Sequence, residues 1–171
     1  DSQILAGLSN ATLMAWIDLN TNFSDAGYVI GQEKFNIRIL SDKSIRVIVN
    51  GKTLDFATPL ETARWYHIGA VLGNDLLKLY LNGDVVATRT LEESIQTDTT
   101  KLTIGKNPAS LNAFFKGKID EVRVFDTALT DQQFQRMIYQ EIENNSSEVR
   151  GTIVPRNIGS LPFANLLRYY R

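Results

Sequence analysis

The chain has no cysteine and a single histidine, His67. Without cysteine there are no disulfides, no thiolate metal sites and no thiol nucleophile. With one histidine, any serine triad or zinc site would have to be built around His67. No apolar run approaches the roughly 20 residues of a membrane-spanning helix, so no membrane insertion is expected. Charge of either sign is not in excess. The formal net charge of −1 provides no basic field for nucleic acid or an anionic membrane surface. No signal-peptide pattern opens the sequence. Its start, "DSQILAGLSNATLMAWIDL", enters a strand-like run within a few residues, which we read as an excised module of a larger chain.

What is present is ordinary globular composition, 43% hydrophobic and 22% charged over 171 residues. That length suits one domain with a sizeable core. Strand signals fill the first three quarters. "TLMAWID" (12–18) is apolar on both faces, as a strand covered on both sides would be. "KFNIRIL" (34–40) alternates through Phe35, Ile37 and Ile39. "SIRVIVN" and "GKTLDFA" flank Asn50-Gly51, a pair suited to a type I′ hairpin turn. "RWYHIGAVL" turns through Gly73-Asn74-Asp75 into "LLKLYL", and Asn82-Gly83 turns that strand into "DVVATRT". "KLTIG" adds another short strand. Short strands at regular spacing with turn chemistry between them predict an antiparallel β-sandwich, an all-β fold.

One helix is expected. Thr130 and Gln133 form a capping box, and Phe134, Met137, Ile138 and Ile142 recur at helical spacing. The stripe predicts cover for the outer face of 12–18, through Leu13, Ala15 and Ile17, with Ile119 alongside. "ENNSSE" then reads as a loop. Pro155, Gly159 and Pro162 forbid one regular element in the tail, although "PFANLLRYYR" offers Pro162 as a helix first turn. The domain is therefore drawn as 1–145, with 146–171 as a C-terminal extension that packs on the sandwich or leads to a next domain.

In "FKGKIDEVRVFDTAL" (115–129), strict alternation puts Asp120 on one face with Val122 and Val124. If those valines enter the core, so does the carboxylate, which then needs a hydroxyl, a backbone amide or a metal ion as partner.

Three segments carry a family resemblance. "RWYHIGAVLGNDLLKLYLNGDVVA" is similar to the tryptophan–histidine strand and "LYLNG" hairpin of laminin G-like domains. "FKGKIDEVRVFDTALTDQQF" resembles their F-x-G-x-I-D-x-V-x-V ending and the short helix after it. "NATLMAWIDL" resembles their first long strand. The resemblance implies the concanavalin A-like jelly roll shared with pentraxins, legume-type lectins and one clan of β-glucanases. The final "VPRNIGSLPFANLLRYYR" resembles a tail found after such domains in very large bacterial surface adhesins. The usual opening strand of the family, F-D-G-x-x-D-Y, is missing. The pentraxin calcium loop is acidic, whereas "GKNPASLNAFFKG" has no carboxylate, so a pentraxin-like calcium site is not implied.

Two outcomes for Asp120 stay open. The related glucanases carry V-D-x-V-R-V on the last strand, whose aspartate helps hold a structural calcium ion; the resemblance carries this to Asp120, with carbonyls near Gly27 as further ligands. Otherwise Asp120 accepts hydrogen bonds that pin the strand. The glucanases' catalytic E-x-D-x-E is absent from every strand, so the chain is expected not to be an enzyme. His67 reads as a partly buried strand histidine, and Trp16, Trp65, Tyr28 and Tyr80 as core. The ligand candidates are Asn107, Ser110, Asn112 and Phe114, on a loop before the last long strand. The expected role is a non-catalytic adhesion module of a secreted surface protein, extracellular or at the cell surface. Its partners would be a glycan or cell-surface protein and the neighbouring domains of its own chain. The alternative is a structural spacer, with a glucanase-type hydrolase behind both.

Overall fold

The computed structural model describes residues 3–142, 149–151 and 165–170. Thirteen strands and one helix follow in order: β1 (Ala11–Leu19), β2 (Gly27–Gln32), β3 (Phe35–Ile39), β4 (Ile45–Val49), β5 (Lys52–Phe56), β6 (Trp65–Gly73), β7 (Leu76–Leu81), β8 (Asp84–Thr90), β9 (Thr103–Ile104), β10 (Gly117–Phe125), α1 (Asp131–Met137), β11 (Gln140–Ile142), β12 (Val149–Gly151) and β13 (Leu166–Tyr170). A six-stranded sheet runs β13-β10-β1-β6-β7-β8, and a five-stranded sheet runs β5-β4-β3-β2-β9. Both are antiparallel and face each other across one core, the expected β-sandwich. β11 and β12 form a separate hairpin.

Local chemistry explains the hairpins. Asn50 and Gly51 both take positive φ, at 50° and 81°, and Asn82 and Gly83 do the same at 51° and 95°. Asn74 and Asp75 supply a third such turn. Each turn fixes the register of the strands it joins. Inward residues then meet in the core: Leu13, Ala15, Ile17, Ile68, Ala70 and Leu79 from one sheet, Ile37, Ile39, Ile45 and Val47 from the other.

The helix starts as expected. Thr130 Oγ1 accepts the Gln133 amide and the Gln133 side chain accepts the Thr130 amide. It ends sooner, at Met137, and Ile142 belongs to β11 instead. It also covers different residues. Leu13, Ala15 and Ile17 point into the inter-sheet core. The helix instead packs Phe134 and Met137 on Met14, Val71, Tyr80, Phe125 and Leu129, on the outer face of the six-stranded sheet. Since both faces of β1 are apolar, its sequence did not say which set the helix would take.

The tail departs from the helical reading: residues 166–170 form β13, paired antiparallel with β10 at the sheet edge. Pro155, Gly159, Pro162 and the "ENNSSE" loop lie outside the described residues.

The β10 reading is corrected by one residue. Between Met14/Arg123 and Trp16/Asp120 the register slips, leaving Glu121 and Val122 opposite Ala15 alone. Glu121 sits at φ 49°, so this is a β-bulge. The extra residue inverts the alternation. Ile119, Val122 and Val124 pack on the core, while Asp120 is exposed. Asp120 Oδ1 accepts the Glu121 amide at 2.8 Å, a bond within the bulge itself. Beneath the helix, buried Arg123 donates to the Met137 carbonyl at 2.6 Å, to the Gln140 carbonyl and to Glu121 Oε2 at 2.7 Å.

Candidate functional site

The helix covers part of the outer face of the six-stranded sheet, whereas on the outer face of the five-stranded sheet the Tyr28, Arg38, Arg46 and Asp55 positions are partly or fully exposed while Gly31, Asn36 and Ile48 are buried. Residues that alternate with the core positions of β2–β5 line this second face. Tyr28 pairs with Arg38, Arg38 with Arg46, and Arg46 with Asp55. These four therefore form a row across the sheet. A second row holds Gly31, Asn36, Ile48 and Thr53.

The row is extended at its β2 end by the loop 106–114. Tyr28 donates its amide to the Ala113 carbonyl at 3.1 Å, and Tyr28 and Phe114 form a parallel bridge. The Phe115 amide donates to the Gly105 carbonyl at 2.8 Å, and the Phe115 ring packs 5.9 Å from that of Phe23. Adjacent phenylalanines thus part company. Phe115 anchors the loop, and Phe114 stands 54% exposed beside Tyr28.

The other loop candidates converge on one atom. Asn112 Oδ1 accepts from Asn107 Nδ2 at 2.9 Å and from Ser110 Oγ at 2.8 Å. Asn107 Oδ1 in turn accepts the Ala109 amide at 2.9 Å. These polar groups shape the loop first. What remains for a ligand is chiefly the Asn112 amide nitrogen, whose two N–H donors have no partner in the cluster.

Arg38 and Arg46 are treated differently by their neighbours. Arg46 forms a fork with Asp55, Nε to Oδ1 at 2.8 Å and Nη2 to Oδ2 at 2.6 Å. That pairing raises its pKa. Arg38 has no such partner. Its guanidinium carbon lies 4.5 Å from the Tyr28 ring centroid, in cation–π contact. Its Nε is buried without a hydrogen bond among the described residues. Burial holds its pKa down, Tyr28 pulls it up, and Arg46 adds to the depression. On the same strand face, Asn36 donates to the Gln32 and Glu33 carbonyls, both at 3.0 Å, while its Oδ1 is buried with no partner among the described residues.

Sequence reasoning placed Tyr28 in the core and passed over Arg38, Arg46 and Asp55. The signal was there: in "KFNIRIL" the positions between Phe35, Ile37 and Ile39 must face out. The Asn50-Gly51 turn also sets Arg46 opposite Asp55. Of the other aromatics assigned to the core, Tyr80 is fully buried and Trp16 partly so, but Trp65 is 41% exposed.

His67 is 1% exposed, with its ring 5.4 Å from Trp16 and 5.2 Å from Phe134. Burial, with a smaller push from Arg123, lowers its pKa from 6.5 to about 3. It is neutral at physiological pH and unsuited to a switch there. Asp120, the calcium candidate, stands outside the core. Its carboxylate is exposed, Glu121 beside it is committed to Arg123, and Gly27 packs against the backbone of Phe114 and Phe115. Calcium takes six to eight oxygens, and no group of three His, Cys, Asp or Glu converges among the described residues.

Solved structures share this architecture. A candidate carbohydrate-binding protein from Bacteroides ovatus is 24% identical with a TM-score of 0.70, over 80% of this chain and 42% of its own. This chain therefore spans about two fifths of that protein. A heptameric pentraxin from Limulus polyphemus is 20% identical with a TM-score of 0.60, over 78% of this chain and 71% of its own. Domain 4 of an extracellular arabinanase from Geobacillus stearothermophilus, solved with arabinotriose, is 20% identical with a TM-score of 0.58, over 80% and 69%. Among curated proteins, none matches this chain. The sequence itself matches a laminin G-like family profile over residues 1–135, most of its length. With the two-sheet fold and the short outer helix, that match makes the chain a member of the concanavalin A-like lectin/glucanases superfamily.

Proposed function

We propose that this domain is a non-catalytic carbohydrate-binding module whose binding surface is the open face of the five-stranded sheet, with the 106–114 loop as its rim. The observation that carries this reading is the exposed Phe114 ring set in line with Tyr28, Arg38 and Arg46. An aromatic at the edge of a polar sheet face is the arrangement that stacks on a sugar ring while neighbouring donors fix its hydroxyls. The solved relatives add support at the level of class, since one is a candidate carbohydrate-binding protein and another was solved holding arabinotriose.

The chemistry of the row favours binding over hydrolysis. Glycosidases use two carboxyl groups flanking the bond, whereas Asp55, the one carboxylate in this row, is tied to Arg46. In this reading the domain serves adhesion as one module of a larger secreted surface protein, and calcium is not part of its site.

The test is a glycan array probed with the wild-type domain and with Phe114→Ala, both shown folded by circular dichroism. Binding to a related set of sugars that is lost in Phe114→Ala supports the proposal. Retention of all binding in that variant removes this face from consideration. A spacer role has one observation of its own: Tyr139 and Tyr170, both near the C-terminal end, are 62% and 43% exposed. Silence across the array, with the domain folded, would favour it.

A further inference from the structure

We propose that the open face recognises a sugar bearing a carboxylate, with Arg38 as the residue that pairs with it. The inference rests on the carbohydrate reading of this face and names the class of sugar it takes.

The argument begins with what Arg38 lacks. Arg46, Arg64 and Arg123 each donate to a carboxylate, and Arg89 and Arg168 each to a backbone carbonyl. Arg38 has neither kind of partner among the described residues. It is half-buried, its Nε is cut off from water, and Arg46 presses on it with like charge. A guanidinium held this way, with Asp55 already paired with Arg46, is a cation without a counter-ion among the described residues. Asp55 and Asp42 both act on Arg46, which leaves Arg38 as the position on this face where an anion would find an unmatched cation.

Geometry fixes the kind of anion. The Tyr28 ring centroid lies 4.5 Å from the guanidinium carbon, a cation–π contact that restrains the fork before any ligand arrives. A preoriented planar fork matches the two oxygens of a carboxylate better than a single point charge does. Phe114 lies on the other side of β2 from Arg38, about 10 Å away at the usual strand spacing. A pyranose stacked on Phe114 and lying across Tyr28 would bring its ring carboxylate, or that of the next residue, to Arg38. The Asn112 amide donors stand at the rim for hydroxyls. The result is aromatic contact, hydroxyl contact and charge pairing in one line.

Two kinds of sugar carry this group: uronic acids and sialic acids. The experiment separates them and tests the parent reading as well. The folded domain is titrated calorimetrically with trigalacturonic acid, its methyl ester, sialyllactose and lactose. We expect one acidic probe to bind about tenfold more tightly than its uncharged counterpart, with the preference shrinking in 0.5 M salt. Trigalacturonate or sialyllactose as the winner identifies the source. Arg38→Lys should erase most of the preference while leaving uncharged binding in place, because it keeps charge but loses the fork. Phe114→Ala should weaken both members of a pair. If uncharged sugars bind as well as acidic ones, and binding depends on Phe114 but not on Arg38, this inference falls and the carbohydrate reading stands. If no sugar binds the folded domain, both fall. Because Arg38→Lys is conservative, an unchanged melting temperature shows that any loss is one of recognition.

Discussion

Phe134 lies flat on Tyr80, ring centroids 4.0 Å apart and planes within 18°, and it has room there because residue 69 is glycine. A Cβ at position 69 would stand 2.5 Å from the Phe134 ring and 2.8 Å from the Leu13 carbonyl oxygen. One obstacle is backbone, so no rotamer change relieves both. Gly69→Ala should therefore destabilise the domain by about 1–3 kcal/mol. Denaturant midpoints check this; an unchanged midpoint would mean the helix is free to lift away.

Arg123 ties the end of the helix to the sheet. Removing it takes the guanidinium away from the Glu121 carboxylate, whose side chain is only 13% exposed, and from the Met137 and Gln140 carbonyls. Arg123→Ala should cost about 3–5 kcal/mol. The double variant Arg123→Met, Glu121→Gln should cost much less than the single ones combined, since it leaves no buried charge. Thermal unfolding of the four-member cycle gives the answer.

His67 predicts the slope of stability against acid. It stays neutral in the fold down to about pH 3, whereas the unfolded chain protonates it near 6.5. Between those values the unfolded state binds more protons. Stability therefore falls as pH is lowered through this window, by up to about 1.4 kcal/mol per pH unit from this group. His67→Leu should flatten that limb relative to wild type. Parallel limbs from pH 6 to 4 would contradict the buried neutral imidazole.

Metal removal gives a fourth check. Exposed Asp120 bonds within its own bulge, so chelator should leave the melting temperature unchanged. Asp120→Asn, a surface change that keeps an acceptor oxygen, should alter stability by no more than about 0.5 kcal/mol. A calcium-dependent rise in melting temperature, abolished by Asp120→Asn, would establish a metal site there.

Much of this was legible in the sequence because turns and alternation are local. Asn50-Gly51, Asn74-Asp75 and Asn82-Gly83 set their hairpins, and Thr130 with Gln133 set the helix start. The failures came where a long-range fact decides. The phase of β10 depends on a single inserted residue, Glu121, so strict alternation put Asp120 inside. The spacing of Ile119 from Val122 hinted otherwise, since two apolar residues three apart share a strand face only across a bulge. Trp65 and Tyr28 sit in strand-like runs, yet their exposure depends on where the helix lies and where each sheet ends. Asn107, Ser110, Asn112 and Phe114 were chosen because binding residues gather on loops. The structure brings the three polar ones together as a loop brace and leaves Phe114 facing outward. Arg38 was missed because an arginine's significance rests on the acid it lacks, and a sequence does not display that.

β13 has a consequence for how this domain behaves in company. Its pairing with Val122, Arg123, Val124 and Phe125 hides the outer row of amides and carbonyls on β10. A chain cut before Asn165 would present that row, next to a fully formed core, as a template for any extended segment. Such a truncated domain should recruit a strand from a second molecule and run as a dimer or larger species on size exclusion. The tail strand is thus a guard against self-association, worth keeping whenever the domain is produced alone.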